Sequence, residues 1–162
     1  MAKLDKKDCV LMDELQKNCR ISLTQLAQKV NLSIDSVKKR INKLENERYY
    51  PKIQIRPRSF GFKDITQINI KFNNHNSEEI NKFIEYLVKH ERIAEVFSFS
   101  GEWDLSFVIF AKDSEDQQKL RSKIKIDFGN LIGAWSESVT LKVHKFETYN
   151  LQQLYNSGDL NE

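Results

Sequence analysis

Cationic and hydroxyl side chains cluster between residues 33 and 43 of the sequence. Val37, Ile41 and Leu44 recur every three or four positions, so the polar residues between them share the opposite face of a helix. Lysine and arginine neutralise phosphates, whereas serine and arginine can also form hydrogen bonds with base edges. The residues that we expect to contact DNA from this helix are Ser33, Ser36, Lys38, Lys39, Arg40 and Lys43.

A second amphipathic segment lies directly before this helix. Leu23, Leu26 and Val30 recur at helical spacing, the pattern then breaks, and Ser33 is a favourable N-cap for the next helix. Two short helices joined by a tight turn are typical of a helix-turn-helix, whose second helix enters the major groove of DNA. A basic helix face alone is commonly only solvated, but the helix before it favours Ser33–Glu45 as a recognition helix.

A third helix is predicted upstream, over residues 4–17. Asp5 can cap it, and Asp8 lies three residues later, where a carboxylate favours the positive end of the helix dipole. Together the three helices predict a winged-type bundle.

Residues 49–63 are predicted to form a connector. Polar and apolar residues alternate over positions 52–56, between two prolines, which indicates a short strand. The pair Tyr49-Tyr50 is expected to pack in a core or a hinge. Arg56 and Arg58 could contact phosphate or could equally pair with acidic groups of the second domain.

The period of the apolar pattern changes after the connector. Strands alternate with two helices. The first is predicted to be capped by Ser77 and to bury Val88 with its other apolar residues, and the second to begin at Ser114. The last strand is predicted from Trp135 to Phe146. The predicted strands cover residues 65–72, 93–99, 105–111 and 135–146. The resulting order, β-α-β-β-α-β, is that of a ferredoxin-like domain.

The expected fold class is therefore α+β, with an N-terminal winged-type helix-turn-helix domain and a C-terminal ferredoxin-like domain. The predicted boundaries are 1–48 for the helix-turn-helix domain, 49–63 for the connector, 64–148 for the ferredoxin-like domain and 149–162 for a polar tail with about one helical turn.

Charge is distributed unevenly along the 162 residues. Residues 1–60 hold 14 Lys and Arg against 7 Asp and Glu, a net charge of +7, whereas the remaining residues hold 12 against 16, a net charge of −4. This asymmetry suggests one part that faces nucleic acid and one with another task. No run of about 18 apolar residues and no signal-type start occurs, so we expect a cytoplasmic protein. Cys9 and Cys19 fit no metal spacing, and we expect neither a metal nor a cofactor.

Several of these residues together resemble one known family. Positions such as Leu4-Asp5, Arg20-Ile21-Ser22 and Leu44-Glu45 are similar to the DNA-binding half of the leucine-responsive/asparagine (Lrp/AsnC) regulators. Gly101-Glu102-Trp103-Asp104 matches the family's Gly-x-x-Asp loop. The resemblance covers roughly residues 4–147 and implies a transcriptional regulator that binds DNA as a homodimer or a higher oligomer.

The resemblance also implies an effector site. Many family members bind a small amino acid near the Gly-x-x-Asp loop, and this alters their assembly and hence transcription. The residues that we assign to such a site are Gly101, Glu102, Trp103, Asp104, Ser136 and Ser138.

The sequence departs from the family pattern at two places. Arg48 stands where a glycine usually ends the recognition helix, and a left-handed conformation is unfavourable for arginine, so we expect this helix to end differently. Glu137 and Val139 align where amino-acid-binding members tend to present threonine, with Ser136 and Ser138 on the other face of the strand.

Two alternatives remain open. The same two-part architecture resembles siroheme decarboxylases, but an enzyme of that kind needs Arg and His grouped in a pocket, and His75, His90 and His144 are spread over separate elements. The other alternative is an architectural protein that coats DNA with little sequence preference.

Overall fold

The computed structural model describes residues 3–49, 51–52 and 54–160, which form two compact units. One unit comprises the residues up to Gln54 together with those from His144 onward, and the other comprises Ile55–Val143. Tyr50 and Ile53, for which the sequence predicts core packing and a strand position, lie outside the described residues.

The first unit contains the three predicted helices, α1 (Lys6–Lys17), α2 (Leu23–Val30) and α3 (Ile34–Glu47). Each begins after a side-chain cap: Asp5, Ser22 and Ser33 accept from the backbone N–H three residues later, which satisfies donors that a helix start leaves unpaired. Apolar residues from all three helices form one core, whose buried members include Leu11, Met12, Leu26, Ala27, Val30, Val37 and Leu44.

The end of α3 confirms the expectation for Arg48. This residue caps the helix with a φ of −130°, and its N–H donates to the Leu44 carbonyl, so no left-handed residue is needed. Tyr49 comes next and packs partly buried against the core, as predicted. By contrast, a left-handed residue does occur in the turn between α2 and α3, where Asn31 has a φ of +50°. Asparagine tolerates that conformation better than most residues.

The connector differs from its prediction. The described residues between 51 and 56 form no strand, and Pro57–Phe60 form a 3-10 helix. A strand needs a hydrogen-bonded neighbour, and the described part of this chain supplies none here. The first unit is therefore a helix-turn-helix bundle whose described residues include no β-wing.

The second unit is an antiparallel sheet with two helices. Its elements are β1 (Asp64–Phe72), α4 (Ser77–Lys89), β2 (Ile93–Ser98), β3 (Leu105–Ala111), α5 (Ser114–Phe128) and β4 (Ile132–Val139). The strand order β2-β3-β1-β4, with all pairs antiparallel, confirms the ferredoxin-like fold. Alternate residues of β1 and β3 pack against Phe83 and Leu87 of α4 and Leu120 and Ile124 of α5.

Three details of this unit were predicted wrongly. Asn76, not Ser77, caps α4, because its side chain reaches the N–H groups of Glu78 and Glu79. Val88 was expected to be buried but is 67% exposed. Strand β4 runs from Ile132 to Val139 rather than from Trp135 to Phe146, because its pairing with the neighbouring strand β1 stops at Val139.

A sixth helix, α6 (Leu151–Ser157), belongs to the first unit. The sequence predicted only about one helical turn in this tail. The α6 helix packs on α1, and the carboxylate of Asp13, which is buried, accepts from the N–H groups of Leu151 at 2.9 Å and Gln152 at 3.1 Å. The Gln152 side-chain amide donates to it as well, at 3.0 Å. Asp13 thus anchors α6 by binding the positive end of its helix dipole.

We expect Asp13→Ala to release α6 from α1. The substitution leaves two backbone N–H groups without their acceptor and should lower the free energy of unfolding of the first unit by about 1–2 kcal/mol. Hydrogen exchange of the α6 amides should then become faster, whereas amides of the sheet should be unchanged. Asp127→Ala, at an exposed aspartate of the second unit, is the control. Equal α6 exchange in Asp13→Ala and in the unmodified protein would contradict this role of Asp13.

Candidate nucleic-acid interface and effector loop

Helix α3 presents the predicted cationic residues to solvent. Lys38, Lys39 and Lys43 are exposed, while Val37 and Leu44 on the opposite side are buried in the core of the first unit. We call these three lysines the basic face. Its charges are carried on a rigid element, and the burial of the other side fixes the direction in which they point.

The two predicted serines lie at the start of α3 and bind each other. The Ser33 hydroxyl accepts from the Ser36 N–H at 3.2 Å, and the two hydroxyl oxygens are 2.8 Å apart. Ser33 is exposed and Ser36 is half-buried. The Ser33 hydroxyl caps the helix, and both hydroxyls keep further hydrogen-bonding capacity.

Arg40 is half-buried and binds other residues of the first unit. Its guanidinium donates to the carboxylates of Asp5 at 2.7 Å and Asp8 at 2.6 Å. These are the two residues of the α1 capping box, in which each carboxylate accepts from the backbone N–H of the other residue. Burial raises the pKa of Asp5, but the Asp8 N–H and the Arg40 guanidinium outweigh it, so the pKa falls below its usual range. Arg40 therefore joins the middle of α3 to the start of α1.

The other two arginines predicted to contact DNA belong to the second unit. Arg56 is exposed and precedes the 3-10 helix. Arg58 donates to the Thr140 carbonyl at 3.4 Å. The structure therefore does not group them with the basic face in one unit.

Sequence reasoning missed one residue of the α3 surface. Ile34, the first residue of the helix, is 45% exposed, and apolar side chains can contact the thymine methyl group in a major groove. No signal in the sequence indicates this exposure, because Ile34 lies three residues before Val37 and so continues the stripe of Val37, Ile41 and Leu44.

The predicted effector loop joins β2 to β3 and is closed by an ion pair. The Asp104 carboxylate accepts from the Lys71 ammonium at 2.9 Å through Oδ1 and from the Phe72 N–H at 2.9 Å through Oδ2. The Phe72 N–H, and to a smaller extent the Lys71 ammonium, lower the pKa of Asp104. Gly101 has a φ of +147°, which side-chain-bearing residues rarely adopt, and its carbonyl accepts from Lys71 at 3.3 Å.

The remaining predicted effector residues lie near this loop or on the sheet. Glu102 is exposed and Trp103 is half-buried. Ser136 of β4 pairs with Asn69 of β1, and Ser138 of β4 pairs with Gln67 of β1. Alternate residues of a strand share a face, so Gln67, Asn69 and Lys71 point to the same side of the sheet. Their partners Ser136 and Ser138 therefore lie on the same face as Lys71, and Ser138 is farther from Lys71 along the strand than Ser136.

Glu137 points to the opposite face of the sheet. It accepts from the Arg121 guanidinium of α5 and, at 2.6 Å, from the indole N–H of Trp135. The alternation expected from the sequence, with Glu137 on one face and the two serines on the other, is confirmed.

Metal-binding clusters and membrane-spanning helices are absent from the described ranges. Among those residues, no group of three or more His, Cys, Asp or Glu could hold a metal ion. None of the described helices is long and apolar enough to cross a membrane.

Two family models match the chain. The AsnC-type helix-turn-helix domain covers residues 4–45, and the Lrp/AsnC ligand binding domain covers residues 66–127. The first range contains α1, α2 and most of α3, and the second contains most of β1, all of α4, β2 and β3, and nearly all of α5.

Sequence relatives carry the same description. An uncharacterized HTH-type transcriptional regulator of Pyrococcus furiosus is 31% identical over 130 residues, which cover 79% of this chain and 84% of the relative. The HTH-type transcriptional regulator LrpA of Pyrococcus horikoshii is 28% identical over 115 residues, which cover 70% of this chain and 79% of the relative.

Solved structures share the fold. A transcriptional regulator of Neisseria meningitidis, solved as an L-Met complex, superposes with a TM-score of 0.80 at 22% identity, covering 93% of this chain and 99% of that one. An AsnC family transcriptional regulator of Agrobacterium tumefaciens gives a TM-score of 0.79 at 20% identity, with coverage of 90% and 95%.

We expect Arg40→Ala to destabilise the first unit. The substitution leaves the Asp5 and Asp8 carboxylates adjacent without their shared cation, and at neutral pH it should lower the free energy of unfolding by about 1–2 kcal/mol. The folded-state pKa of Asp5 lies below its unfolded value, so this stabilisation is fully present above the unfolded-state pKa and is lost as the pH falls through the folded-state pKa.

The measurement is urea unfolding of both proteins between pH 7 and pH 3. The stability difference should shrink as the pH falls. Lys39→Ala, which removes a neighbouring exposed cation, serves as the control and should show no such pH dependence. A pH-independent difference for Arg40→Ala would show that the carboxylates are not its partners.

Proposed function

Because the chain belongs to the Lrp/AsnC family of transcriptional regulators, we propose that it binds double-stranded DNA as a homo-oligomer through helix α3. We propose further that a small amino-acid-like molecule modulates this binding from the loop Gly101–Asp104.

The observation that supports α3 as the DNA-binding element is the basic face. Three lysines project from one helix whose opposite side is buried. That arrangement lets the helix enter a major groove without losing its core contacts. The lysines supply the attraction to phosphate that is independent of sequence and falls with salt concentration.

Sequence discrimination requires groups that reach base edges. The start of α3 offers the Ser33 and Ser36 hydroxyls and the exposed side chain of Ile34. Arg40, which the sequence also suggested for this task, already binds Asp5 and Asp8. In our proposal Arg40 mainly positions α3, and Ser33, Ser36 and Ile34 contact the bases.

Exposed apolar side chains support a homo-oligomer. Ile55, Leu141 and Val143 are 65%, 84% and 59% exposed, and Leu141 and Val143 alternate directly beyond the edge strand β4. Apolar side chains beside an unpaired strand edge are typical of a surface that another chain covers. A symmetric dimer would present two α3 helices to successive major grooves, about 34 Å apart.

The effector proposal is supported by the loop and by a structural relative. The Neisseria meningitidis regulator was solved as an L-Met complex. In this chain the loop matches the family's Gly-x-x-Asp pattern, and Asp104 already binds an ammonium group, that of Lys71. An amino acid carries the same kind of group.

The enzyme alternative loses its support, because the family models and the sequence relatives describe transcriptional regulators. A protein that coats DNA without sequence preference is distinguished from a specific regulator by footprinting, in which discrete protection supports the proposal and continuous protection contradicts it.

We expect Lys39→Ala to weaken binding to all DNA sequences by a similar factor. Loss of one phosphate contact should reduce the slope of log K against log salt concentration by about 1. The measurement is fluorescence anisotropy over a salt series, with a genomic target fragment and a scrambled duplex of the same length.

Lys82→Ala is the matched control for this experiment, because Lys82 is an exposed helical lysine of the second unit, paired with Glu78. It should leave affinity and slope unchanged. If Lys39→Ala keeps the full salt slope, or if the unmodified protein shows none, the basic face does not bind phosphate and the proposal fails.

We expect Leu141→Asp to reduce the oligomer. A charge at a side chain that a second subunit would cover should lower the mass measured by light scattering, without lowering the melting temperature of the monomeric fold. Ile126→Asp is the control, because Ile126 is 81% exposed on α5. An unchanged mass in Leu141→Asp, or a monomeric unmodified protein, would refute this surface.

A further inference from the structure

The loop Gly101–Asp104 offers two acceptors to an ammonium group. The side-chain ammonium of Lys71 occupies them. The Lys71 ammonium donates to the Gly101 carbonyl at 3.3 Å and to Asp104 Oδ1 at 2.9 Å. We call these two acceptors the ammonium site. Its position is fixed, because the Phe72 N–H donates to the other carboxylate oxygen of Asp104, and the Asp104 N–H donates to the Ile70 carbonyl at 3.0 Å.

We infer that Lys71 acts as a built-in occupant of this site, competing with free amino acids and setting the ligand specificity of the loop. This inference rests on the proposed effector role of the loop and adds the residue that governs it.

The competition arises from matching chemistry. The side-chain ammonium of lysine and the α-ammonium of a free amino acid carry the same charge and the same three N–H donors. The ammonium site offers one carboxylate oxygen and one carbonyl to such a group. Two ammonium groups at one carboxylate would also repel each other. The α-ammonium of an amino acid can therefore bind these acceptors only when the Lys71 side chain moves away from them.

The exposure of the pair sets the size of the effect. The side chains of Lys71 and Asp104 are 42% and 20% exposed, and an ion pair of this kind biases an equilibrium by roughly 1.5- to 5-fold. The second hydrogen bond and the repulsion add to this bias. We expect Lys71 to weaken amino-acid binding by about fivefold.

The test compares the unmodified protein with Lys71→Met, which keeps the aliphatic stem and removes the charge. Each of the twenty L-amino acids is added separately, and binding is detected by the shift in melting temperature. For every amino acid that binds, calorimetry gives the Kd for both proteins. The same titration is run with the corresponding carboxylic acid that lacks the ammonium group.

The expected result is a Kd about fivefold lower in Lys71→Met, with no gain for the carboxylic acid without an ammonium group. Lys89→Met is the matched control, because it removes another exposed lysine that pairs with a carboxylate of the same unit, Glu85, and it should not change the Kd. If Lys71→Met does not fold, Lys71→Gln, which also removes the charge, replaces it.

Three results would overturn the inference. Equal Kd values in the unmodified protein and Lys71→Met would leave the effector site standing and remove the role of Lys71. An equal gain for the acid without an ammonium group would show that Lys71 blocks the loop by volume rather than by occupying the ammonium site. No binding by either protein would remove the effector proposal as well, while DNA binding by the same samples would separately test the rest of the proposed function.

Discussion

Burial of Val37 and Leu44 in the core of the first unit orients helix α3, and the whole surface proposed to contact DNA depends on that orientation. Burial of the apolar stripe fixes the rotation of the helix about its axis, and this rotation determines where every other side chain points. The lysines of the basic face are exposed, so the buried side of α3 fixes where they project. Arg40 adds a polar restraint, because it ties α3 to the two carboxylates that begin α1.

Carboxylates that hold backbone N–H groups recur in both units. Asp5 and Asp8 close the start of α1, Asp13 binds the start of α6, and Asp104 binds the Phe72 N–H beside its ion pair with Lys71. In each case the carboxylate is a structural acceptor. The negative charge of these carboxylates is thus partly balanced by helix dipoles, backbone N–H groups and cations of the chain.

Much of this fold could be predicted because its signals are local. Caps at Asp5 and Ser33 and the three- and four-residue spacing of apolar side chains predicted the first three helices. The features that were missed depend on distant partners. Arg40 binds carboxylates that are 32 and 35 residues away in sequence, and no local sequence pattern predicts that pairing. The last strand ends at Val139 because its pairing with β1 stops there, although the alternation of apolar residues continues to Val143. The DNA-contacting residues could be proposed by type, but the structure was needed to show that Lys71 already occupies the predicted effector loop.

The first unit is assembled from two distant parts of the chain, with the sheet unit inserted between them. Asp13 on α1 and Leu151 on α6 are 138 residues apart in sequence. During synthesis, α1 to α3 therefore leave the ribosome long before the helix that completes their packing, whereas the sheet unit is made without interruption. The α6 helix can contact α1 only after the residues of the whole sheet unit have been made. The sheet unit can therefore fold before the first unit gains its last helix.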